Sequence, residues 1–219
     1  MVLCAPLLID VAIFELAGLV MPELHLAEGA ALDRNYVRQV TLIGSVAVCL
    51  HFGLVSVWSN WLGAGPFAGA MRTSWRWLVA AAIIGPAVLV VPSLIADVLM
   101  GGQEGWAFAE GYDRGWDAPE NQSLATLFYV LILAPVTEEV TYRGVALGAL
   151  VARGVGAAGA AVLSSSAFAL IHLQYSPAAL AVVFVAGLGF ATLRLVSGTM
   201  IVPVVAHIAA NGFVLAWPG

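Results

Sequence analysis

Glu138 and Glu139 stand side by side in the middle of an apolar stretch, Ser123–Val151, that reads SLATLFYVLILAPVTEEVTYRGVALGALV. At the centre of a membrane helix a single acid costs about 2.5–3.5 kcal/mol on insertion scales. Two acids with Arg143 close behind are therefore a functional-site hypothesis rather than ordinary helix composition. Residues four apart share a helix face, so Glu139 can pair with Arg143. Glu138 lies about 100° further round the helix and faces a different partner. Two later apolar stretches each add a histidine on a patterned face: Phe168 with His172, and His207 with Asn211. Carboxylates, imidazoles and a carboxamide placed where water is scarce suit proton transfer and the stabilisation of developing charge.

The elements that must position these groups are membrane helices. Of the 219 residues 62% are apolar and only 10% charged, and mean hydropathy is +0.98. Soluble domains carry about 25% charged residues. A spanning helix needs about 20 mostly apolar residues. Seven stretches qualify: Val2–Met21, Val37–Leu62, Trp77–Met100, Ser123–Val151, Val155–Leu173, Ala178–Val196 and Ile201–Trp217. The expected fold is thus all-α, a polytopic bundle of about seven transmembrane helices forming a single membrane domain over 1–219. Residues 1–122 supply N-terminal helices and an acidic loop, and 123–217 supply the helix core that carries the chemistry. Pro86 and Pro92 are expected to kink the third stretch. Asp10 and Glu15 interrupt the first, which argues for a retained or interfacial helix over a cleaved signal peptide. The long polar interruption Gly101–Gln122 places Trp106 and Trp116 at headgroup level.

Charge and cysteine content exclude several classes. The chain has no lysine, its eight basic residues are all arginine, and its net charge of −5 includes no basic run that would fit nucleic acid. Cys4 and Cys49 lie in apolar stretches without a CxxC spacing, and read as small buried hydrophobes. Arginine counting puts Arg72, Arg76, Arg153 and Arg194 on the N-terminal side and Arg34, Arg38 and Arg114 opposite. That leans towards N-terminus inside and C-terminus outside. His51 reads as a packing residue and His25 as a loop residue. Ser164, Ser165 and Ser166 lack a GxSxG context and read as small interface residues. Gly144 and Gly148 form a GxxxG expected at a close helix contact.

In chain order the three motifs are EEVTYR, FALIH and HIAAN, each inside an apolar segment. The series EExxxR, FxxxH, HxxxN resembles that of the CPBP family of intramembrane proteases, which includes type II CAAX prenyl endopeptidases and bacteriocin-processing and self-immunity proteins. The resemblance extends over roughly Leu124 to Leu215. It implies an integral, multi-pass protein, expected in the cytoplasmic membrane of a prokaryote, that cleaves a membrane-associated or lipid-modified protein or peptide. It implies Glu138 as the base that activates water, with His172 holding and polarising that water. His207 and Asn211 would donate to the oxyanion. Glu139, Arg143 and Phe168 would be structural support.

No cofactor is expected. The alternative is a zinc enzyme with Glu138, His172 and His207 as ligands, but that would consume the best general base, and the compact HExxH motif is absent. A non-catalytic immunity or scaffold protein and an ion or proton carrier are further readings, although no paired inverted halves of the carrier type are found. One expectation conflicts with straight helices. From the inner ends of their stretches Glu138 lies ~20 Å along, His172 ~25 Å and His207 only ~9 Å. The run Gly198–Pro203 is therefore expected to be a buried, irregular lead-in that starts the last helix inside the membrane.

Overall fold

The computed structural model describes residues 73–99, 127–173 and 175–216, with Leu50, Gly53 and Val57 as isolated helical positions. The first candidate span, nearly all of the second, the loop Gly101–Gln122, both cysteines, His25 and His51 lie outside the described residues. Every described element is helical, as the composition requires.

Helix α1 is Trp75–Leu99, and it runs through Pro86 and Pro92 without interruption. Helix α2 is a continuous run over 129–152 in four pieces: a π-turn at Tyr129–Leu133, an α-segment Ala134–Glu139, a second π-segment Val140–Ala146, and an α-segment Leu147–Ala152. Helix α3 is Ala157–Leu170, α4 is Pro177–Ser197 and α5 is Ile201–Ala216. The ends of α4 follow from residue type. The Ser176 hydroxyl accepts a hydrogen bond from the Ala179 amide, Pro177 takes the first helical position, and Gly198 closes the helix at φ 69°.

Two of these helices, α1 and α4, are long and apolar enough to cross a membrane. The 14-residue α3 and 16-residue α5 span ~21 and ~24 Å, short of a ~30 Å hydrocarbon core. The fifth stretch was expected to stay helical to Leu173, but α3 stops at Leu170. His172 therefore sits in the turn beyond α3 rather than on its face. The lead-in to α5 is shorter than expected. Thr199 and Met200 are buried, as the expectation required, but α5 begins at Ile201 and Pro203 lies in its first turn, where a missing N–H costs nothing.

Two apolar clusters hold the bundle. Ala81 of α1, Ala186, Phe190 and Leu193 of α4, and Val202, Ala206 and Ala210 of α5 form one. Leu147, Ala160, Ala161 and Ala191 join α2, α3 and α4 in another. The outer face of α1 leaves Trp75, Val79, Ile83, Val91, Ile95 and Val98 exposed, an apolar surface suited to lipid. The GxxxG expectation fails at Gly148, where an added Cβ would meet open space. Close approach occurs at Gly85, Gly187 and Gly189 instead.

Candidate active site

The site is built around a buried ion pair on α2. Arg143 Nη1 donates to Glu139 Oε1 at 2.9 Å, as the four-residue spacing predicts, and both side chains are fully buried. Arg143 Nη2 donates to the Gly187 carbonyl of α4 at 3.0 Å. The guanidinium lies over the Phe168 ring at 4.4 Å and near Phe190 at 5.5 Å, so charge, backbone dipole and two π-faces replace its lost hydration. A Cβ at Gly187 would come within 3.1 Å of Nη2 and 3.0 Å of Ser165 Cβ; glycine leaves the space the arginine needs.

His207, on α5, reaches this pair from the other side. Its Nδ1 lies 2.9 Å from the same Glu139 oxygen, and its Nε2 lies 3.7 Å from Glu138 Oε2. A carboxylate only accepts, so Nδ1 carries a hydrogen and Nε2 is the nitrogen turned to Glu138. Phe190 stacks on the imidazole at 4.8 Å and 20°, while Phe168 meets it edge-on at 5.8 Å. Glu138 keeps 23% of its side chain exposed. The two glutamates thus differ in environment: one is dry and saturated on one oxygen, the other opens to a cavity.

That cavity, about 250 Å³, is lined by Glu138, His172, His207 and Asn211 among apolar side chains from α1, α4 and α5. All four residues assigned to chemistry therefore share one space. They do not form a single contact cluster, since the Phe168 ring stands between the imidazoles, 5.0 Å from His172 and 5.8 Å from His207. The cavity is lined from Val130 to Glu138 on α2 and from His207 to Leu215 on α5, so it extends over more than one helical turn, and of the lead-in Thr199 and Met200 are buried while Gly198 is exposed. His172 Nδ1 lies 3.0 Å from the Phe168 carbonyl. A carbonyl only accepts, so in the neutral ring Nε2 is left as an acceptor. None of Ser164, Ser165 and Ser166 lines the cavity.

Asn211 has a partner that its motif does not announce. In the π-turn the Ala134 amide bonds to Tyr129 O, one residue further back than in an α-helix. The same register would pair Val130 O with the amide of residue 135, which is proline and has none. Asn211 Nδ2 fills that gap, donating to Val130 O at 2.9 Å. The threonines of α2 add to the distortion, with Thr137 and Thr141 hydroxyls donating to Leu133 O and Thr137 O at 2.8 Å. Sequence reasoning missed Gly187, Phe190 and the Val130 carbonyl. Pro135 was the available signal for the last, and the Gly187-Leu188-Gly189 run for close helix approach.

An acid–base cluster buried in an all-helical bundle of membrane character is the class this geometry defines. Residues 120–213, a little under half of the chain, match the model of the family described as type II CAAX prenyl endopeptidase Rce1-like. All three motifs and every residue of the cluster fall inside that segment, which carries the similarity to the CPBP/CAAX protease family. No curated protein and no solved structure matches the chain.

The buried pair with Arg143 and the bond to His207 suit Glu139 to a structural role. Glu139→Ala strips Arg143 and His207 of their shared acceptor and is expected to cost roughly 3–5 kcal/mol, the range for orphaning one member of a buried pair. Thermal melting of the purified protein in detergent measures it; a melting temperature equal to that of the parent would contradict the assignment.

Proposed function

We propose that the protein is an intramembrane endopeptidase, a bundle of about seven spans that hydrolyses a peptide bond in a membrane-associated or lipid-modified protein. The observation that carries the reading is the His207 imidazole, held against Glu139 on one edge and turned to Glu138 on the other at the wall of a cavity. The family description adds the reaction class.

In this mechanism a water between Glu138 and His172 attacks the scissile carbonyl. Glu138 takes one proton of that water, and His172 Nε2 accepts a hydrogen bond from the other. The carbonyl oxygen becomes an oxyanion as its π-bond opens. Nε2–H of His207, in the doubly protonated ring, and the second amide hydrogen of Asn211 donate to it. The first amide hydrogen of Asn211 stays on Val130 O, which fixes the direction of the second. Collapse of the tetrahedral intermediate breaks the C–N bond, and Glu138 returns its proton to the leaving amine. Glu139 and Arg143 hold His207 in one orientation, so the donor is in place before charge develops.

Glu138→Ala is expected to abolish cleavage of a fluorogenic prenylated CAAX peptide while leaving the yield of folded protein and its melting temperature near those of the parent, because Glu138 is partly exposed and His207 keeps its closer bond to Glu139. If the variant still cleaves, Glu138 is not the base; if the parent protein shows no cleavage and the variant no cellular phenotype, the scaffold reading replaces this one.

Asn211→Ala is expected to lower kcat by roughly 10²–10³-fold, the range for one oxyanion donor, with a smaller change in KM. A change confined to KM would move Asn211 into substrate binding.

The mechanism gives every polar group a role without a metal. Activity is therefore expected to survive exhaustive chelation, with no stoichiometric zinc by elemental analysis. Loss to a chelator with recovery on added zinc would instead establish the metalloprotease alternative that uses Glu138, His172 and His207.

A further inference from the structure

We propose that helix α1 sets the position of His207 between the two glutamates, with Gly85 and Val88 as positioning residues for the hydrolytic site; the assignment of that site as hydrolytic rests on the reading above. Helix α1 lies outside the segment that matches the protease family, so nothing in the motifs points to it.

The contacts are specific. Gly85 is buried on α1, and a Cβ there would overlap the Ala206 carbonyl oxygen and lie 2.8 Å from its carbonyl carbon. The obstructing atoms are backbone in the middle of α5 and have no rotamer to escape into. Ala206 is fully buried and immediately precedes His207. Three residues further along α1, Val88 meets α4 at Gly189, where a Cβ would lie 2.6 Å from Val88 Cγ1. Gly189 immediately precedes Phe190, whose ring stacks on His207 at 4.8 Å. Positions three apart share a helix face, so one face of α1 bears on the residue before each ring of the stacked pair. Leu89, next to Val88, lines the cavity itself. The imidazole has little latitude: its two nitrogens sit 2.9 and 3.7 Å from different carboxylates. Moving α1 outwards would release α4 and α5 together and change both distances at once.

The test uses the full-length protein in detergent micelles or bilayer nanodiscs, with selective ¹⁵N labelling of its four histidines. Gly85→Ala is expected to lower kcat on the prenylated CAAX peptide by about 10–100-fold, in keeping with a displacement of up to ~1 Å, with KM changed less than about threefold. The His207 imidazole ¹⁵N resonances, assigned by their loss in His207→Ala, are expected to shift. Gly189→Ala is expected to do the same through Val88. Adding Val88→Ala, which removes the obstructing methyl groups, is expected to restore both kcat and the resonances.

A merely structural α1 would lower the amount of folded protein while leaving the kcat and the His207 resonances of the folded fraction unchanged. That result for either glycine variant overturns the proposal, as does a Gly189→Ala defect that Val88→Ala fails to relieve. If Gly85→Ala yields no folded protein, the Gly189 and Val88 variants decide, because that contact involves a side chain that can be trimmed. If the parent protein cleaves nothing, the hydrolytic reading fails, and the ¹⁵N spectra still decide whether α1 positions His207.

Discussion

A carboxylate with no access to water must find its partners in the protein, and Glu139 finds one on its own helix and one on α5. One of its oxygens takes a hydrogen bond from Arg143 and one from His207. The arginine, so held, spends its second amino group on the Gly187 carbonyl of α4. Three helices, α2, α4 and α5, are thereby tied by one charge network, in an apolar surrounding where dispersion alone discriminates poorly between helix rotations. The desolvation cost of burying these groups is considerable. What the network provides is a fixed rotation of each helix, and so a fixed direction for the histidine.

The local distortion of α2 belongs to the same design. A regular α-helix carrying Pro135 would leave an orphaned carbonyl facing hydrocarbon, at a cost of several kcal/mol. The π-turn shifts that orphan to Val130 O, where Asn211 from α5 reaches it. A backbone defect and a site residue on another helix thus satisfy each other. One consequence is that Asn211 enters the cavity with half of its donor capacity already spent, which leaves a single amide hydrogen and the carbonyl oxygen of its side chain to meet a substrate. π-Turns concentrate at functional sites for this kind of reason: they release one backbone group and re-aim the side chains around it.

The helical class, and the polar residues that the fold brings to one cavity, were legible because insertion cost makes polar residues in apolar stretches informative, a penalty of ~3 kcal/mol each. The Glu139–Arg143 pair followed from four-residue spacing and is present. The bridge from Glu139 to His207 was not legible, since a contact between residues 68 apart in sequence leaves no local pattern. The same holds for Phe190, which looks like any aromatic in a membrane helix until it is found stacked on the imidazole. Helix ends were misjudged where composition stays apolar through a turn. His172 belongs to an apolar run, yet α3 stops two residues earlier. Gly148 reads as a contact glycine by spacing, while the glycines that admit close approach, Gly85, Gly187 and Gly189, stand in no such motif.

Two adjacent residues of identical chemistry are given different work by a rotation of about 100°. Glu139 turns into the bundle, where water is absent and cationic and hydrogen-bond donors are fixed. The carboxylate committed there takes part in the contacts that hold three helices in register. Glu138 turns to the cavity, keeps part of its surface open, and touches only the edge of an imidazole already oriented by its neighbour. In the proposed mechanism the base gains and loses a proton in every turnover, which suits the carboxylate that opens to the cavity and stands outside the buried pair.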